Sequence, residues 1–453
     1  PTLLAAGMPV AVPRPSPLLH ADMHNATLLV LLPSGLRTPT VQIEPAQAVS
    51  ALLIAEAHVE AADGLVAHTR LEYALTKLSP PADGRVRLVL SFARDVHAEP
   101  PLRLSVHFFL ALPAASLVER LGSHSATAAY LPAGAADPWH RDGAFFGWDA
   151  VKRERVTQER RVYMSGLSDE AGAAASVAIA VKQLGQPEDG EIGKLEEYVA
   201  STLYQGDNDD RASFLQGADD SVRLSMLFWD DEMNRAASPT GRAVTAAAPE
   251  LAKICRRCWP TSCSWMDCWS KEHSLETWRA YNYPHVTTVY WALYRLGRYF
   301  TPALTRRRPW QWYLQRAHAT AMALWKHGGD PWTKKAGNGI GTAQWGLMVG
   351  SVFELLLTDL WREGWSEAAA ALQETVEKRM RVWMHMPFPY GSEFAWDSTG
   401  HEEIHTWMVR FGKLSEAKQT KDAVTAYVSA SPHWAYCGSA RRWGGFTING
   451  DTP

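Results

Sequence analysis

Strong net charge and long apolar runs are both missing from this sequence. Its 453 residues carry a formal net charge of −3, so no excess of basic residues indicates binding to nucleic acid or anionic membranes. No apolar run reaches the roughly 18 residues of a membrane-spanning helix, and the best candidate, Gly346 to Leu360, contains Glu354 and Asp359. The sequence therefore predicts no nucleic-acid partner and no membrane span.

Motifs for nucleotide, metalloprotease and serine-hydrolase chemistry are missing as well. The chain has no P-loop, Rossmann glycine fingerprint, HExxH pattern or nucleophile elbow, and we predict no cofactor. A start methionine and a signal peptide are also missing, from which we expect a processed form or a fragment.

Cysteine is scarce, and four of the five cysteines lie in one short segment. Their spacing is Cys-x2-Cys-x4-Cys-x4-Cys, formed by Cys255, Cys258, Cys263 and Cys268. Four thiolates can bind zinc, although structural zinc sites usually have two close pairs separated by a longer loop. Two local disulfides fit a secreted or cell-surface protein equally well, and the candidate glycosylation triplet Asn25-Ala26-Thr27 favours them slightly.

Tryptophan, by contrast, is abundant, with 20 residues in the chain beside 14 tyrosines. For most of these residues a place in a helical core is the simpler interpretation. The functional alternative is that indole faces stack on the CH faces of sugar rings, which suit an amphipathic aromatic wall.

Residues 1–163 are typical of a β-rich, sandwich-like domain. Short apolar or alternating runs are separated by clusters of Pro, Gly and Asp. Within one run Val86, Leu88, Leu90 and Phe92 alternate with other residues, as a half-buried strand requires.

The rest of the chain is typical of paired helices. Residues 164–253 form a helical segment and a polar linker or lid, and residues 254–270 form the cysteine-rich insertion. Residues 271–453 contain helix candidates spaced at about 50 residues per pair: Val286 to Tyr299, Trp310 to His327, Gly341 to Glu363, Ser366 to Met384, His401 to Phe411 and Ser415 to Tyr427. We predict an α+β multidomain protein, an N-terminal β-sandwich followed by a complete or incomplete α/α toroid whose cleft lies where the inter-helix loops meet.

The segment before the fifth of these helices contains the strongest catalytic candidates. Glu393 and Asp397 lie among Tyr390, Trp396 and other aromatic residues rather than among solvated charges. A carboxylate among aromatic rings tends to have a raised pKa and can act as a general acid. We predict that Glu393 and Asp397 are catalytic and that Tyr390 and Trp396 bind substrate.

A capping-box pattern, Thr399-x-x-Glu402, predicts the start of that helix. Glu403 then lies in the first turn, where acids are favoured by the helix dipole. The alternative prediction is that the Glu403 carboxylate binds substrate.

A second candidate segment opens the first helix of the toroid region around Pro284. Tyr281, Asn282, Tyr283 and His285 place hydroxyls, an amide and an imidazole at one helix entry. These groups can bind sugar hydroxyls or supply a base and an acid, although a lone His is more often structural. We predict catalytic roles for Tyr283 and His285 and substrate contacts for Tyr281 and Asn282.

A third candidate segment lies close to the C-terminus. Trp434 and Tyr436 offer stacking faces, and Arg441 and Arg442 could clamp a carboxylate. The alternative for the two arginines is a solvated basic pair. If one of them faces the cleft, we expect the substrate to contain a uronate.

Several strings resemble a family of secreted bacterial and fungal proteins, the domain of unknown function 5695. They are GLSDEAGA (Gly166 to Ala173), AYNYPHVTTVYWALYRLGR (Ala280 to Arg298), YGSEFAWDSTGHEE (Tyr390 to Glu403) and GSARRW (Gly438 to Trp443). The resemblance covers roughly residues 161–443. It implies a β-sandwich followed by an α/α toroid, as in many glycoside hydrolases and polysaccharide lyases, and it assigns no catalytic residues.

These observations together predict a carbohydrate-active enzyme with a carbohydrate substrate. A glycoside hydrolase acting on a plant or microbial glycan, with Glu393 and Asp397 as its acid and its base or nucleophile, is the main hypothesis. A polysaccharide lyase using Tyr283 or His285 as the base is the first alternative. The second is a glycan-binding or cell-surface structural protein without catalysis.

Overall fold

The computed structural model describes residues 8–14, 18–20, 26–60, 67–77, 84–93, 101–137, 141–157, 171–204, 206, 215–228, 274–329, 346–385 and 400–430. The chain divides into two compact units, Pro1–Leu121 and Gly122–Pro453. Each unit has its own apolar core. The cysteine-rich insertion at 254–270 lies outside the described residues.

The first unit consists of two four-stranded sheets. Its strands are β1 (Val10–Arg14), β2 (Leu18–His20), β3 (Thr27–Pro33), β4 (Thr40–Glu44), β5 (Val49–Val59), β6 (His68–Lys77), β7 (Arg85–Phe92) and β8 (Leu102–Ala111). One sheet has the order β1-β3-β6-β5 and the other has the order β2-β8-β7-β4. All neighbouring strands are antiparallel except β2 and β8, which are parallel.

Alternating side chains from both sheets fill one apolar core. On β3 Leu28 and Val30 are fully buried, and on β7 Leu88 and Leu90 are fully buried in the same cluster. Since two sheets share this core, they pack face to face. The predicted alternation of buried residues along β7 is confirmed.

The second unit contains two short hairpins and most of the helices. The hairpins pair β9 (Tyr130–Leu131) with β10 (Ala144–Phe145) and β11 (Gly147–Asp149) with β12 (Glu154–Val156). The described helices are α1 (Ala114–Ala126), which contains the boundary between the units, α2 (Ala174–Gly185), α3 (Asp189–Tyr198), α4 (Asn282–Tyr299), α5 (Trp310–His327), α6 (Val352–Arg362), α7 (Ser366–Met384), α8 (His401–Arg410) and α9 (Leu414–Ala430). A π-helical turn, Val199–Leu203, continues α3.

Helix α4 is the most deeply buried helix that the structure describes. It buries 15 of its 18 residues, so it is covered on every side rather than along one stripe. Pro284 is accommodated in its first turn, where a missing N–H leaves no hydrogen bond unmade. The helix therefore begins at Asn282, four residues before the predicted start at Val286.

Contacts along the helices fix their directions. Helix α5 begins beside the end of α4, where the Tyr294 and Trp310 rings are 5.9 Å apart. It ends beside the start of α4, where the amide of Gly329 donates to the carbonyl of Trp278 at 2.8 Å. Helices α4 and α5 are therefore antiparallel.

Helix α6, in turn, runs parallel to α4. Trp291 Nε1 donates to Asp359 Oδ2 at 2.9 Å, and one turn further along both helices the Tyr294 hydroxyl donates to Glu363 at 3.0 Å. The outer helices α5 and α7 are also parallel to each other. His318 of α5 contacts Ala368 of α7, and Trp325, further along α5, contacts Lys378, further along α7. Buried and outer helices thus alternate in direction along the chain.

The segment before α6 departs from the predicted helix Gly341 to Glu363. Residues 346–351 form turns, and α6 starts only at Val352. Val349 has a φ of 60°, a left-handed conformation that interrupts a helix and is costly for a β-branched residue.

Of the helices that the structure describes, none is both long and apolar enough to cross a membrane.

Truncation of a buried strand residue tests the two-sheet core. Leu88→Ala removes a fully buried side chain, and we expect it to lower the free energy of unfolding by about 2–5 kcal/mol. Leu52→Ala is the matched control because Leu52 is 68% exposed on β5, and surface changes usually stay within about 0.5 kcal/mol. Denaturant titration followed by far-ultraviolet circular dichroism measures both, and equal effects would contradict the described core.

Candidate functional site

The starts of α2, α4 and α6 lie at one end of the second unit. The amide of Met226 donates to the carbonyl of Ala171, just before α2, and the amide of Leu224 donates to the carbonyl of Glu276, just before α4. Residues 215–228, from the segment predicted as a linker or lid, therefore cross the entries of two helices. Because α6 is parallel to α4, its start faces the same end.

Asn282 anchors this crossing segment to α4. Its side-chain nitrogen donates to the carbonyls of Arg223 at 2.8 Å and Leu224 at 2.9 Å. The residue is completely buried, and within the described part of the chain its Oδ1 has no hydrogen-bond partner. The Asn282 amide, which was predicted to bind substrate, thus holds residues 215–228 at the start of α4. Its Oδ1 is the acceptor atom that remains without a partner among the described residues.

Tyr283 is buried beneath the same entry. Its hydroxyl donates to the carbonyl of Thr277 at 2.8 Å. Burial raises the pKa of the Tyr283 phenol well above its ordinary value, since the phenolate would lose its hydration. A neutral phenol that already donates a hydrogen bond is poorly suited to act as a base.

His285 and Tyr281 are also buried at this entry. His285 Nδ1 lies 2.8 Å from the carbonyl oxygen of Tyr281, and because a carbonyl only accepts, Nδ1 must bear the proton. The other ring nitrogen is then an acceptor in the neutral imidazole. The guanidinium of Arg279 lies over the Tyr281 ring, 5.1 Å from its centroid, a cation–π contact that fixes that ring.

Glu403 forms a buried ion pair with Arg379 of α7. Both carboxylate oxygens contact the guanidinium, with Nη2 to Oε2 at 2.7 Å, and Oε2 also accepts from the amide of Leu347 at 2.7 Å. A Cβ on Gly350 would come within 2.8 Å of the same carboxylate. Glu403 therefore joins α7 and α8 to the turn before α6, and its predicted contact with substrate stays a prediction.

Glu402, the neighbouring acid, differs in its surroundings. The N-cap residue of α8 is Gly400 rather than Thr399, and glycine has no side chain to cap the helix. The Glu402 carboxylate instead faces the Ser351 hydroxyl at 3.5 Å. Burial and the negative charge of Glu403 raise the pKa of Glu402 above its ordinary value.

A family comparison bears on the chain as a whole. The model of a family of unknown function, DUF5695, matches residues 1–452. The chain belongs to this family. A comparison with curated proteins gave no match. The family has no assigned activity, so the chemistry of this DUF5695 member must be argued from its own residues.

The remaining predicted site residues of this DUF5695 chain lie outside the described residues. They are Tyr390, Glu393, Trp396, Asp397, Trp434, Tyr436, Arg441 and Arg442, together with Cys255, Cys258, Cys263 and Cys268. Their roles stay predictions. Among the residues that are described, no group of His, Cys, Asp or Glu is arranged to hold a metal ion.

The structure also brings together residues that the sequence did not single out. Residues 216–222 form a tight hairpin whose tip carries Asp219 and Asp220, and the tip contacts α5 through Arg316 and His327. The only sequence signal was an Asp-Asp-Ser string in a polar segment. That signal is weak, because such strings are common in solvated turns.

Removal of the Glu403 charge tests the buried ion pair. Glu403→Gln leaves the Arg379 guanidinium buried without its counter-charge, and we expect a loss of about 3–5 kcal/mol in the free energy of unfolding. Glu374→Gln is the control, since Glu374 pairs with Lys378 on the exposed face of α7 and exposed pairs contribute little. Thermal and denaturant unfolding measure both variants, and a stable Glu403→Gln protein would contradict the structural role.

The pH dependence of stability tests Glu402. A carboxyl whose pKa is raised in the folded state binds protons more tightly when folded, so folding is favoured at low pH and this contribution is lost as pH rises through the folded pKa. We therefore expect Glu402→Gln to increase stability at neutral pH, with the difference vanishing below the ordinary Glu pKa of 4.5. Unfolding curves across this range decide the sign, and a variant less stable at neutral pH would contradict it.

Proposed function

We propose that this protein is a carbohydrate-active enzyme, a secreted or cell-surface glycoside hydrolase that acts on a poly- or oligosaccharide. One observation carries the proposal. Helices α2, α4 and α6 begin at a common end; the α4 entry carries Tyr281, Tyr283 and His285, and the turn before α6 contacts Glu402 and Glu403. A cleft lined by aromatic rings and a few placed polar groups is what a sugar polymer requires.

The alternation of helix direction supports the fold part of the proposal. Buried α4 and α6 run one way, and outer α5 and α7 run the other way. The proposed α/α toroid requires this alternation, because helices of one toroid layer share a direction and the loops at one end form the binding cleft.

The catalytic pair in this proposal is Glu393 and Asp397. Asp397 precedes the Gly400 entry of α8 by three residues, and the first turn of α8 contacts the turn before α6 through Glu402 and Glu403. One carboxyl would protonate the leaving oxygen, and the other would act as base or nucleophile. Uronate recognition by Arg441 or Arg442 belongs to the same proposal.

The lyase alternative receives less support from the described geometry. A lyase base must accept a proton from the carbon beside a uronate carboxylate. The Tyr283 hydroxyl is buried, donates to Thr277 and has a raised pKa, all of which oppose that role. His285 stays the other candidate for the lyase base.

Glycan cleavage by acid-pair variants tests the function. Wild-type protein is incubated with neutral and uronate-containing polysaccharides, and new reducing ends and unsaturated uronates are measured separately. We expect wild type to release reducing ends, and Glu393→Gln or Asp397→Asn to lose about 10²–10⁴-fold in rate. Glu374→Gln on the exposed face of α7 is the control and should retain activity.

Three outcomes discriminate among the hypotheses. Unsaturated products that disappear in His285→Gln but persist in Glu393→Gln would establish a lyase. Retained polysaccharide binding without any product would indicate a glycan-binding protein. Full activity in both carboxyl variants would remove Glu393 and Asp397 from the mechanism.

A further inference from the structure

The end of the second unit opposite the helix entries carries a dense group of arginines. Helices α4 and α6 are parallel, so their last turns lie at the same end. Arg295 and Arg298 lie in the last two turns of α4, and Arg362 is the last residue of α6. Because α4 has 18 residues, this end is about 27 Å from the α4 entry. The group is therefore separate from the proposed cleft.

Aromatic rings hold these three arginines in place. The guanidinium carbons of Arg295, Arg298 and Arg362 lie 5.1, 5.7 and 5.8 Å from the centroid of the Tyr299 ring. Arg298 also lies over the Trp310 ring, at 5.2 Å. Cation–π contacts of this kind orient a guanidinium while its edges keep N–H groups that can donate to an anion.

Two carboxylates beneath the three arginines neutralise only part of their charge. Asp359 accepts from Arg295 Nη1 at 3.0 Å and also pairs with Arg362. Glu363 accepts from Arg298 Nε at 3.0 Å. Both acids are almost completely buried, whereas between a third and a half of each arginine side chain is exposed. The surface at this end therefore presents the guanidiniums to solvent, with the acids behind them.

The loop between α4 and α5 extends this surface. It folds back over the end of α4, because the amide of Leu304 donates to the carbonyl of Leu296 at 3.2 Å. The loop carries an exposed run of three further arginines. The six side chains together form the arginine face: Arg295, Arg298, Arg306, Arg307, Arg308 and Arg362.

The charges of the loop are also incompletely paired. Arg306 pairs with the exposed Asp189 at 2.7 Å. The nearby Glu196 is buried and accepts from the main-chain amides of Arg306 and Arg307 instead of from a guanidinium. In the part of the chain that the structure describes, Arg307 and Arg308 have no carboxylate partner. The arginine face thus keeps a local positive charge although the whole chain has a net charge of −3.

An exposed tryptophan adjoins the arginine face. Trp361 precedes Arg362 in the last turn of α6 and is 43% exposed. Its indole makes no hydrogen bond or ring contact with the other described residues. An indole face that is open to solvent can stack on the CH face of a sugar ring.

A tryptophan beside several guanidiniums matches a chain of sugars that carry carboxylates. Each guanidinium can pair with a carboxylate through two N–H groups, and the indole can stack on one ring of the chain. A neutral glycan would leave the arginines unused. An acidic peptide would pair with the arginines but offers Trp361 no flat CH face.

We propose that the arginine face and Trp361 form a surface site for a polyuronate, a polysaccharide whose sugars carry carboxylates. The choice of a glycan over a nucleic acid rests on the proposed function. The site itself lies outside the cleft and binds the polymer without cleaving it. It holds the protein on a long glycan whether or not the entry end is turning over.

Binding of polygalacturonate by a tryptophan variant tests the stacking part of the site. Trp361→Ala removes the exposed indole, and we expect it to raise the Kd by about tenfold. Leu355→Ala is the matched control, because Leu355 lies on the same helix and is 41% exposed. Isothermal titration calorimetry measures both, and the control should bind like wild type.

Binding by an arginine variant tests the charged part. We expect Arg307→Gln/Arg308→Gln to raise the Kd by about tenfold or more and to make the remaining binding less sensitive to salt. Arg103→Gln/Arg120→Gln removes the same charge from two exposed positions of the first unit and should bind like wild type. All variants should keep the wild-type rate on a short oligosaccharide.

Other polymers identify the ligand class. At matched chain length and ionic strength, we expect polyglutamate, single-stranded DNA and neutral dextran to bind about tenfold or more weakly than polygalacturonate. Polyglutamate or DNA that binds as tightly overturns the assignment to a polyuronate.

The outcomes separate this inference from the proposed function. A wild-type protein that does not bind polygalacturonate overturns the surface site, as do Trp361→Ala and Arg307→Gln/Arg308→Gln proteins that bind it like wild type. Absence of turnover by wild type, with binding that both variants weaken, overturns the hydrolase proposal and leaves the surface site standing.

Discussion

The side-chain amide of Asn282 is the interaction on which the arrangement of the site depends. Its two hydrogens satisfy consecutive carbonyls of the segment 215–228 at the entry of α4. Loss of the two Asn282 donors would leave both carbonyls unsatisfied, and each unsatisfied buried carbonyl lowers the free energy of unfolding by about 1–3 kcal/mol. The segment 215–228 is therefore joined to the α4 entry by one group in a buried, low-dielectric setting.

Charges in the second unit follow a division between scaffold and site. Glu403 and Arg379 are almost fully buried and engaged with each other, and Asp359 is likewise buried against Trp291 and Arg295. Asp219, by contrast, is half exposed, and Glu402 faces the surface. Buried ion pairs fix the helices in register, whereas the more exposed acids lie at the hairpin tip and at the entry of α8.

The local elements could be predicted closely from the sequence. The alternation Val86 to Phe92 identified β7, and the observed bounds of α5 and α7 equal the predicted ones, because their apolar periodicity continues to the last turn. The start of α4 was predicted four residues late, since Pro284 was taken to precede the helix. The turn before α6 was missed because two acids more than 50 residues later hold it, accepting from the Leu347 amide and the Ser351 hydroxyl.

The site was only partly predictable for a related reason. Tyr281 to His285 stood out as a local cluster of polar and aromatic residues, and the structure gives all four side chains a buried place at one helix entry. Asp219 and His327 are separated by more than a hundred residues, and neither has an unusual local sequence. Only the hairpin and the antiparallel course of α5 bring them within 3.3 Å, which no periodicity of the sequence encodes.

The shared direction of α2, α4 and α6 has a consequence for how such a protein can diversify. Among the described helices, buried α4 and α6 are entered from the same end, and outer α5 is the return path between them. Connections at the entry end can therefore lengthen, shorten or change composition while the helix packing stays intact. Specificity can evolve there almost independently of stability, so relatives with one architecture can act on different ligands.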